Sequence, residues 1–312
     1  MWLHVSVVKY ETVNLHGVSY SKFDVQVILN DFDCGVGPPS ILHDVVIHYV
    51  DNNKGSTARL KCKDYVRFSE GSGHAVCTNQ GKWQVDLNCS VPLDCKELYD
   101  KYDVRESGPH YISPDKTSGI LANCDMTTEG GGWTIIQRRI NPDLDFYKSW
   151  SEYKTGFGNI SSNFWLGNDA LHALTATPNT LRFVLTDFSN NVKYADYKNV
   201  EVKDEQDHYR LNFEEYLEGN AGNALKGSES KYWAYGMQFS THDMDNDNLD
   251  SVNCGSYMKG GWWYNSCTTS NLNGVYCESS DRHNCMTWSE SDDYSELRVG
   301  HKETVIMIRR TV

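Results

Sequence analysis

The sequence predicts two folded units. A small, all-β unit stapled by disulfides spans residues 34–89, and a larger unit mixing strands with short helices spans 94–312. Three observations predict this. The chain has 312 residues, and at one domain per ~150 residues that length suggests two cores. Ten cysteines stand at 34, 62, 77, 89, 95, 124, 254, 267, 277 and 285, with the first four crowded into one short stretch. Seven of the nine tryptophans (133, 150, 165, 233, 262, 263 and 288) lie beyond Asp94, which places the main core there.

Charge and composition exclude several classes. With 29 Lys or Arg against 42 Asp or Glu, the net charge is −13, so nucleic acid phosphates and anionic lipid are repelled. No run of ~18 apolar residues exists to span a membrane. Aromatic residues at 12% argue against disorder. No C-x-x-C occurs, so the cysteines suit disulfide loops in an oxidising compartment better than zinc. The sequons Asn88-Cys89-Ser90 and Asn159-Ile160-Ser161 also point outside the cell as N-glycosylation sites. Lys9 and Glu11 interrupt the apolar start, so no signal peptide is visible. An incomplete N-terminus is the favoured reading.

Along the chain, residues 1–33 read as β. Phe23, Val25, Val27 and Leu29 alternate with polar residues, and Val5 and Val7 begin a similar pattern. This stretch is either the tail of an upstream β domain or an extended arm. Residues 34–89 hold turn-rich segments (35–39, 51–55, Glu70–Gly73) between short β-rich runs such as Val45–Val50. Trp83 is the one large aromatic available to fill so small a core. Cys34 followed by Pro38-Pro39, Cys62 with Tyr65, Cys77, and Gly81-Lys82-Trp83 before Cys89 resemble a sushi (complement control protein) module. That resemblance implies pairs Cys34–Cys77 and Cys62–Cys89; the spacings alone leave three connectivities open. Residues 90–93 form a short linker.

In the large unit, GGGW (130–133) leading into TIIQRR (134–139) reads as a turn feeding a buried strand. Segments 147–154 and 167–175 read as helices, 200–213 as exposed strands, and TVIMIRR (304–310) as a buried strand. The motifs DCKELY (94–99), SGPHYISP (107–114), CDMTTEGGGWTIIQRR (124–139), FWLGND (164–169), YLEGNAGNAL (216–225), GMQFSTHDMDNDN (236–248), KGGWWYNSC (259–267) and SNLNGVY (270–276) carry a close resemblance across 94–312. They resemble the fibrinogen-related family, in its ficolin- and tachylectin-like branch. The resemblance implies an α+β fold: a twisted antiparallel sheet, flanking helices and a loop-rich C-terminal part carrying the binding site. It also implies the pairs Cys95–Cys124 and Cys254–Cys267. Cys277 and Cys285 are an addition to the common pattern, and with seven residues between them they are predicted to close a local loop.

The segment 243–251 crowds carboxylates at 243, 245, 247 and 250. Crowded hard oxygens repel one another unless a cation or water intervenes, and they suit Ca²⁺. An EF-hand is excluded, since position 6 counted from Asp243 is Asn248 and position 12 is Cys254. The family resemblance implies calcium bound by side chains of Asp245 and Asp247 and by main-chain carbonyls of Leu249 and Ser251, with Asp243 outside the ligand set. The stretch from Asp247 to Cys254 is one residue longer than in many relatives, which weakens the two carbonyl assignments.

KGGWWYNSC is the second candidate site. Its glycines would let a ligand approach closely. Trp262 and Trp263 are read as core and Tyr264 as the contact residue. In lectin members a cis peptide precedes the second cysteine, which here would be Ser266–Cys267, aiming a main-chain N–H at an acetyl oxygen. The lining departs from the lectin pattern: Thr268 replaces a histidine, Arg282-His283-Asn284-Cys285 replaces Tyr-Ala-Asn-Gly, and Tyr294 matches a pocket tyrosine. Arg282 and His283 would favour an anionic sugar.

No catalytic motif occurs, so an enzyme is not expected. The leading expectation is a secreted, calcium-dependent lectin that binds glycans or cell-surface and matrix glycoproteins. Lectin-type relatives oligomerise for avidity, but this sequence has no coiled coil or collagen run for a homo-oligomer to use. The alternative is a protein-binding adhesion or matrix module of angiopoietin or tenascin type. A retained Tyr264 contact and a cis bond would favour the lectin; a trans bond and a filled pocket would favour the protein binder.

Overall fold

The computed structural model describes residues 13–15, 18–20, 45–49, 57–62, 68–78, 80, 82–116, 119–227, 230–278, 284–290 and 300–311. The protein divides into two compact units, one over Met1–Pro92 with Lys116–Gly119, the other over Leu93–Asp115 and Ile120–Val312.

The first unit contains a short hairpin, Val13–Leu15 with Val18–Tyr20. It also contains a four-stranded antiparallel sheet in sequence order: Val45–Tyr49, Thr57–Cys62, Phe68–Cys77 and Trp83–Ser90. Alternation along the second and third of these strands buries Ala58, Leu60, Ala75 and Cys77, as the two-residue side-chain period requires. Glu70–Gly73, expected as a turn, is instead an irregularity inside one long strand. Gly71 takes φ 103° there, and a Cβ on it would stand 2.7 Å from the Asp86 carbonyl. The Asp86 carboxylate accepts the Ser72 N–H at 2.9 Å, which satisfies the bulged backbone. Trp83 is half-buried. Cys77 is disulfide-bonded. Cys34, the side chains of Cys62 and Cys89, and the alternating strand from Phe23 to Leu29 lie outside the described residues.

The second unit is built on a nine-stranded antiparallel sheet. Its main path runs Phe157–Gly158, Phe164–Trp165, Trp133–Arg139, His301–Arg310, Asn179–Asp187, Val192–Lys198, Glu215–Glu218. The hairpin Gly108–Ile112 with Ile120–Asp125 joins through Trp133–Arg139. His301–Arg310 therefore lies in the middle, bonded on both sides, which explains its apolar run VIMI. Trp133, Ile135, Phe164 and Met307 form one core cluster beneath the sheet. Across the centre, Arg182 holds Asp196 with two hydrogen bonds of 2.7 and 2.6 Å, both groups buried.

Four α-helices occur among the described residues of this unit. Helix α1 (Cys95–Tyr102) starts where Asp94 accepts the Glu97 N–H at 2.7 Å, and Cys95–Cys124 ties it to the sheet. Helix α2 (Trp150–Thr155) begins at a reciprocal capping pair, Ser149 with Glu152. Helix α3 is Asn168–Leu174 and helix α4 is Cys254–Met258. The segment 200–213 differs from its reading as exposed strands. Only Glu201–Val202 and Leu211–Asn212 pair, with a turn of 3₁₀ helix between them capped by Asp204. Val202 and Leu211 are buried.

Candidate functional site

The acidic loop and KGGWWYNSC come together through backbone bonds. Ser240 and Trp262 exchange N–H···O bonds of 2.9 and 3.1 Å. Asn248 donates its N–H to the Asn265 carbonyl at 3.0 Å, and its side-chain amide donates to Asn265 Oδ1 at 2.9 Å. Asn253 caps α4 by accepting the Ser256 N–H, and its amide donates to the Thr241 carbonyl at 3.1 Å. The Cys254–Cys267 disulfide closes the far side. Gly255 makes the close approach necessary: a Cβ there would stand 2.5 Å from the Thr241 carbonyl carbon.

Within this frame Asp245 and Asp247 are brought together. The Asp247 N–H reaches Asp245 Oδ1 at 3.4 Å. Asp247 accepts the Leu249 N–H on one oxygen and the Cys254 N–H, at the start of α4, on the other, both at 2.8 Å. Burial, with the neighbouring Asp245 carboxylate, pushes Asp247 up to about 6. The Leu249 carbonyl accepts the Val252 N–H at 3.2 Å, and Ser251 is exposed. Among the described residues no three His, Cys, Asp or Glu side chains gather at one point. Asp243 faces elsewhere. It accepts the Trp150 N–H at 2.9 Å and the Thr241 hydroxyl at 2.7 Å, anchoring the first residue of α2.

The expectations for Tyr264 and for the Ser266–Cys267 bond are corrected. Tyr264 is fully buried, with 0% exposure, and its hydroxyl donates to the Gly260 carbonyl at 2.8 Å. It belongs to the core with Trp262 and Trp263, whose rings lie 5.2 Å apart. The flanking glycines serve packing rather than ligand approach. A Cβ on Gly260 would stand 2.2 Å from the Asn273 carbonyl oxygen, and one on Gly261 2.6 Å from the Tyr153 ring. Every peptide bond among the described residues is trans, Ser266–Cys267 included. In that form the Ser266 N–H donates to the Lys231 carbonyl at 3.0 Å, and the Cys267 carbonyl accepts the Asn265 N–H at 2.8 Å. The Thr268 hydroxyl donates to the Ser270 carbonyl at 2.9 Å and accepts the Ser270 N–H at 3.1 Å, so it caps its own turn. Lys231, Asn248 and Asn265, which hold this wall, were not anticipated. The Asn-x-x-Ser spacing of Asn253 and Ser256 is a signal that could have revealed α4.

Cys277–Cys285 closes the neighbouring loop. Arg282, His283 and Tyr294 lie outside the described residues. Asn159 is exposed at the tip of the Phe157–Trp165 hairpin, its Oδ1 accepting the Ser161 N–H at 2.9 Å. Asn88 lies in the strand Trp83–Ser90, its side chain outside the described residues.

The family model for the C-terminal globular domain of the fibrinogen beta and gamma chains matches residues 91–309. The protein belongs to the fibrinogen C-terminal domain family. This fibrinogen-type protein is 45% identical to human angiopoietin-related protein 7 over 218 residues, 67% of this chain and 60% of that protein. The mouse protein of the same name is 46% identical over 187 residues, 59% of this chain and 53% of the relative. Fibrinogen-like protein A of Apostichopus parvimensis is 43% identical over 213 residues, 64% and 73% of the two chains. The sequence thus spans just over half to three fifths of the length of these angiopoietin-related relatives. Among solved structures, the fibrinogen-like globe domain of human ANGPTL2 superposes with a TM-score of 0.64 at 33% identity, covering 71% of this chain and all of that one. Lamprey fibrin D-dimer complexed with the peptide Gly-His-Arg-Pro-amide gives 0.65 at 32% identity, covering 70% and 73%. These relatives are angiopoietin-related and fibrinogen-like proteins, rather than the ficolins and tachylectins expected from the motifs across 94–312. Among the described residues no helix is long and apolar enough to cross a membrane.

Proposed function

We propose that this protein is an extracellular recognition protein whose fibrinogen-type unit binds a protein partner, in the manner of a matrix or adhesion module. The burial of Tyr264 carries this reading. The Tyr264 ring and hydroxyl are buried and bonded, and the Thr268 hydroxyl bonds its own turn, so these two side chains of the expected lining are engaged within the fold. The angiopoietin-related relatives support the same choice over the lectin. Three disulfides and an exposed sequon at Asn159 support an oxidising, extracellular setting. The sequence carries no catalytic motif, so the reading is binding without catalysis. Residues 34–89 are read as a sushi module, supported by the four-stranded sheet and the bonded Cys77.

The paired carboxylates fit a calcium ion. Two adjacent Asp side chains in one loop, each oxygen with a lone pair left, are hard donors of the right kind. In this reading Asp245 and Asp247 hold the ion, and the Leu249 and Ser251 carbonyls with water complete the shell. The ion would remove the repulsion within the pair and brace the loop against α4.

The test is binding of the full-length protein to cell-deposited extracellular matrix, with the matrix treated either by a protease or by glycosidases. Binding should survive deglycosylation and disappear after proteolysis. The reverse pattern would restore the lectin. Chelation in parallel should lower the melting temperature, and no thermal shift on adding calcium to chelated protein would remove the ion from the reading.

A further inference from the structure

The Asn159 sequon sits on a turn that is complete without its amide nitrogen. Asn159 is exposed at the tip of the hairpin joining Phe157–Gly158 to Phe164–Trp165. Its N–H donates to the Asn163 carbonyl at 2.9 Å, its carbonyl accepts the Ser162 N–H at 2.7 Å, and its Oδ1 accepts the Ser161 N–H at 2.9 Å. Arg138 Nε donates to the Ser162 carbonyl at 2.9 Å, and another guanidinium nitrogen donates to the Ser161 carbonyl. Among the described residues nothing hydrogen-bonds the Asn159 amide nitrogen or the Ser161 hydroxyl, and both residues are exposed. N-glycosylation consumes only that nitrogen. In the transfer, Asn159 Nδ2 bonds to the anomeric carbon of an oligosaccharide carried on a lipid diphosphate. The carbon–oxygen bond to the diphosphate breaks, the lipid diphosphate leaves with the electron pair, and one amide proton is released. Nδ2 keeps its second hydrogen and Oδ1 stays an acceptor, so the bond from the Ser161 N–H survives. Asn88 stands in a different setting, within a strand and paired opposite Glu70.

The tip also marks one end of the nine-stranded sheet. Phe157–Gly158 pairs with Phe164–Trp165 and, among the described residues, with no strand beyond it. An unpaired sheet edge recruits other chains unless brevity, charge or a cover protects it. The opposite end of the main path, Glu215–Glu218, presents two exposed acidic residues, Glu215 and Glu218. Residues 157–165 (FGNISSNFW) contain no ionisable side chain. One end is thus guarded by charge, whereas the other is short and neutral and carries the sequon. A glycan is bulky and solubilising, so it supplies there the protection that carboxylates supply at the far end.

We infer that Asn159 carries an N-linked glycan and that this glycan shields the neutral end of the sheet from self-association. The inference rests on the extracellular reading above, which supplies the compartment where the transfer occurs.

The experiment secretes the full chain from mammalian cells behind a cleavable signal. Residue 159 is read by peptide mass after digestion with peptide N-glycosidase, which converts a glycosylated asparagine to aspartate. Wild type and Ser161→Thr should carry the glycan at Asn159; Ser161→Ala and Ser161→Lys should lose it, because the transfer requires a hydroxyl at the third sequon position. The turn uses only the backbone of Ser161, so all three variants keep its hydrogen bonds, and matching melting curves verify the fold. Sedimentation velocity at rising concentration should then show Ser161→Ala associating more than wild type. Ser161→Lys, which puts a charge where the glycan stood, should sediment like the glycosylated forms. An unmodified Asn159 in the secreted protein, or a glycan on Asn88 alone, would overturn the site while leaving the extracellular reading intact. A glycan at Asn159 with no difference in association between wild type and Ser161→Ala would overturn the shielding. Equal association of Ser161→Ala and Ser161→Lys, both above wild type, would overturn the edge as its place of action. Matrix binding, measured on the same samples, tests the protein-binding reading independently.

Discussion

Replacing Tyr264 by Phe separates a core tyrosine from a ligand contact. The substitution removes one oxygen and keeps the buried ring, so its packing in the core is retained. What is lost is the 2.8 Å bond to the Gly260 carbonyl. That carbonyl lies on a buried residue beside Asn273, where water does not replace the missing donor. A buried acceptor left without its partner costs about 1–3 kcal/mol, and the small volume change favours the lower half, about 1.5 kcal/mol. For a unit of this size each kcal/mol moves the melting temperature by about 2–4 °C, so a fall of about 3–6 °C is expected. Differential scanning calorimetry with a denaturant titration provides the measurement. The midpoint should drop with an unchanged m-value, because a hydroxyl deletion does not alter the area exposed on unfolding. Burial also holds the Tyr264 hydroxyl well above its ordinary pKa, so it is a donor at neutral pH. An unchanged melting temperature combined with lost ligand binding would refute the placement of Tyr264 in the core.

Three further outcomes follow from the same geometry. Asp196→Asn breaks a buried two-bond pair with Arg182, and because Glu129 also reaches Arg182 at 2.7 Å, a loss near the lower end of the usual range, about 3 kcal/mol, is expected in denaturant titration; less than about 1 kcal/mol would show the pair to be dispensable. His301 is buried with neither ring nitrogen hydrogen-bonded, and burial lowers its pKa from 6.5 to about 4. The folded state therefore binds fewer protons than the unfolded one, so the contribution is whole above pH 6.5 and declines as the pH falls through about 4, by about 3 kcal/mol in total; His301→Phe should flatten that part of the stability–pH curve, and an identical slope in wild type and variant would refute the assignment. Serine at both Cys277 and Cys285 opens a loop of eight positions, for which the entropy of loop closure gives a loss of about 2.5 kcal/mol; a melting curve matching the wild type would show that the backbone bonds of Val275 with Asn284 and Met286 suffice.

The strands at 133–139 and 301–310 were legible because both lie inside the sheet and carry apolar runs with few polar interruptions. The helices at 150 and 168 were read close to their observed bounds, the first with a capping pair at Ser149 and Glu152 and the second with no side-chain cap. Helices α1 and α4 were not read from the sequence, and their caps, Asp94 and Asn253, are the signals that announce them. The acidic loop was legible as a cluster of carboxylates, yet nothing in its spacing distinguishes Asp243, which pins α2 from ninety-three positions away, from the facing pair Asp245 and Asp247. The misreading of Tyr264 has a definite cause. A run of Trp-Trp-Tyr between glycines has neither helical nor strand period, so no face can be assigned from it. The glycines fit close ligand approach and close backbone packing equally well. Only the positions of Asn273 and Tyr153, distant in sequence, decide between them.

The placement of His301–Arg310 carries a consequence for biosynthesis. Its two neighbours, Trp133–Arg139 and Asn179–Asp187, leave the ribosome more than a hundred residues earlier, and Thr304 meets Gln137 across 167 positions. Until that strand emerges, each half of the sheet carries a raw hydrogen-bonding edge and an uncovered apolar face. Pairings of such long sequence separation form slowly, and unpaired edges recruit other chains. The nascent protein therefore passes through a sticky half-built stage, and its yield should depend on how long chaperones shield that gap.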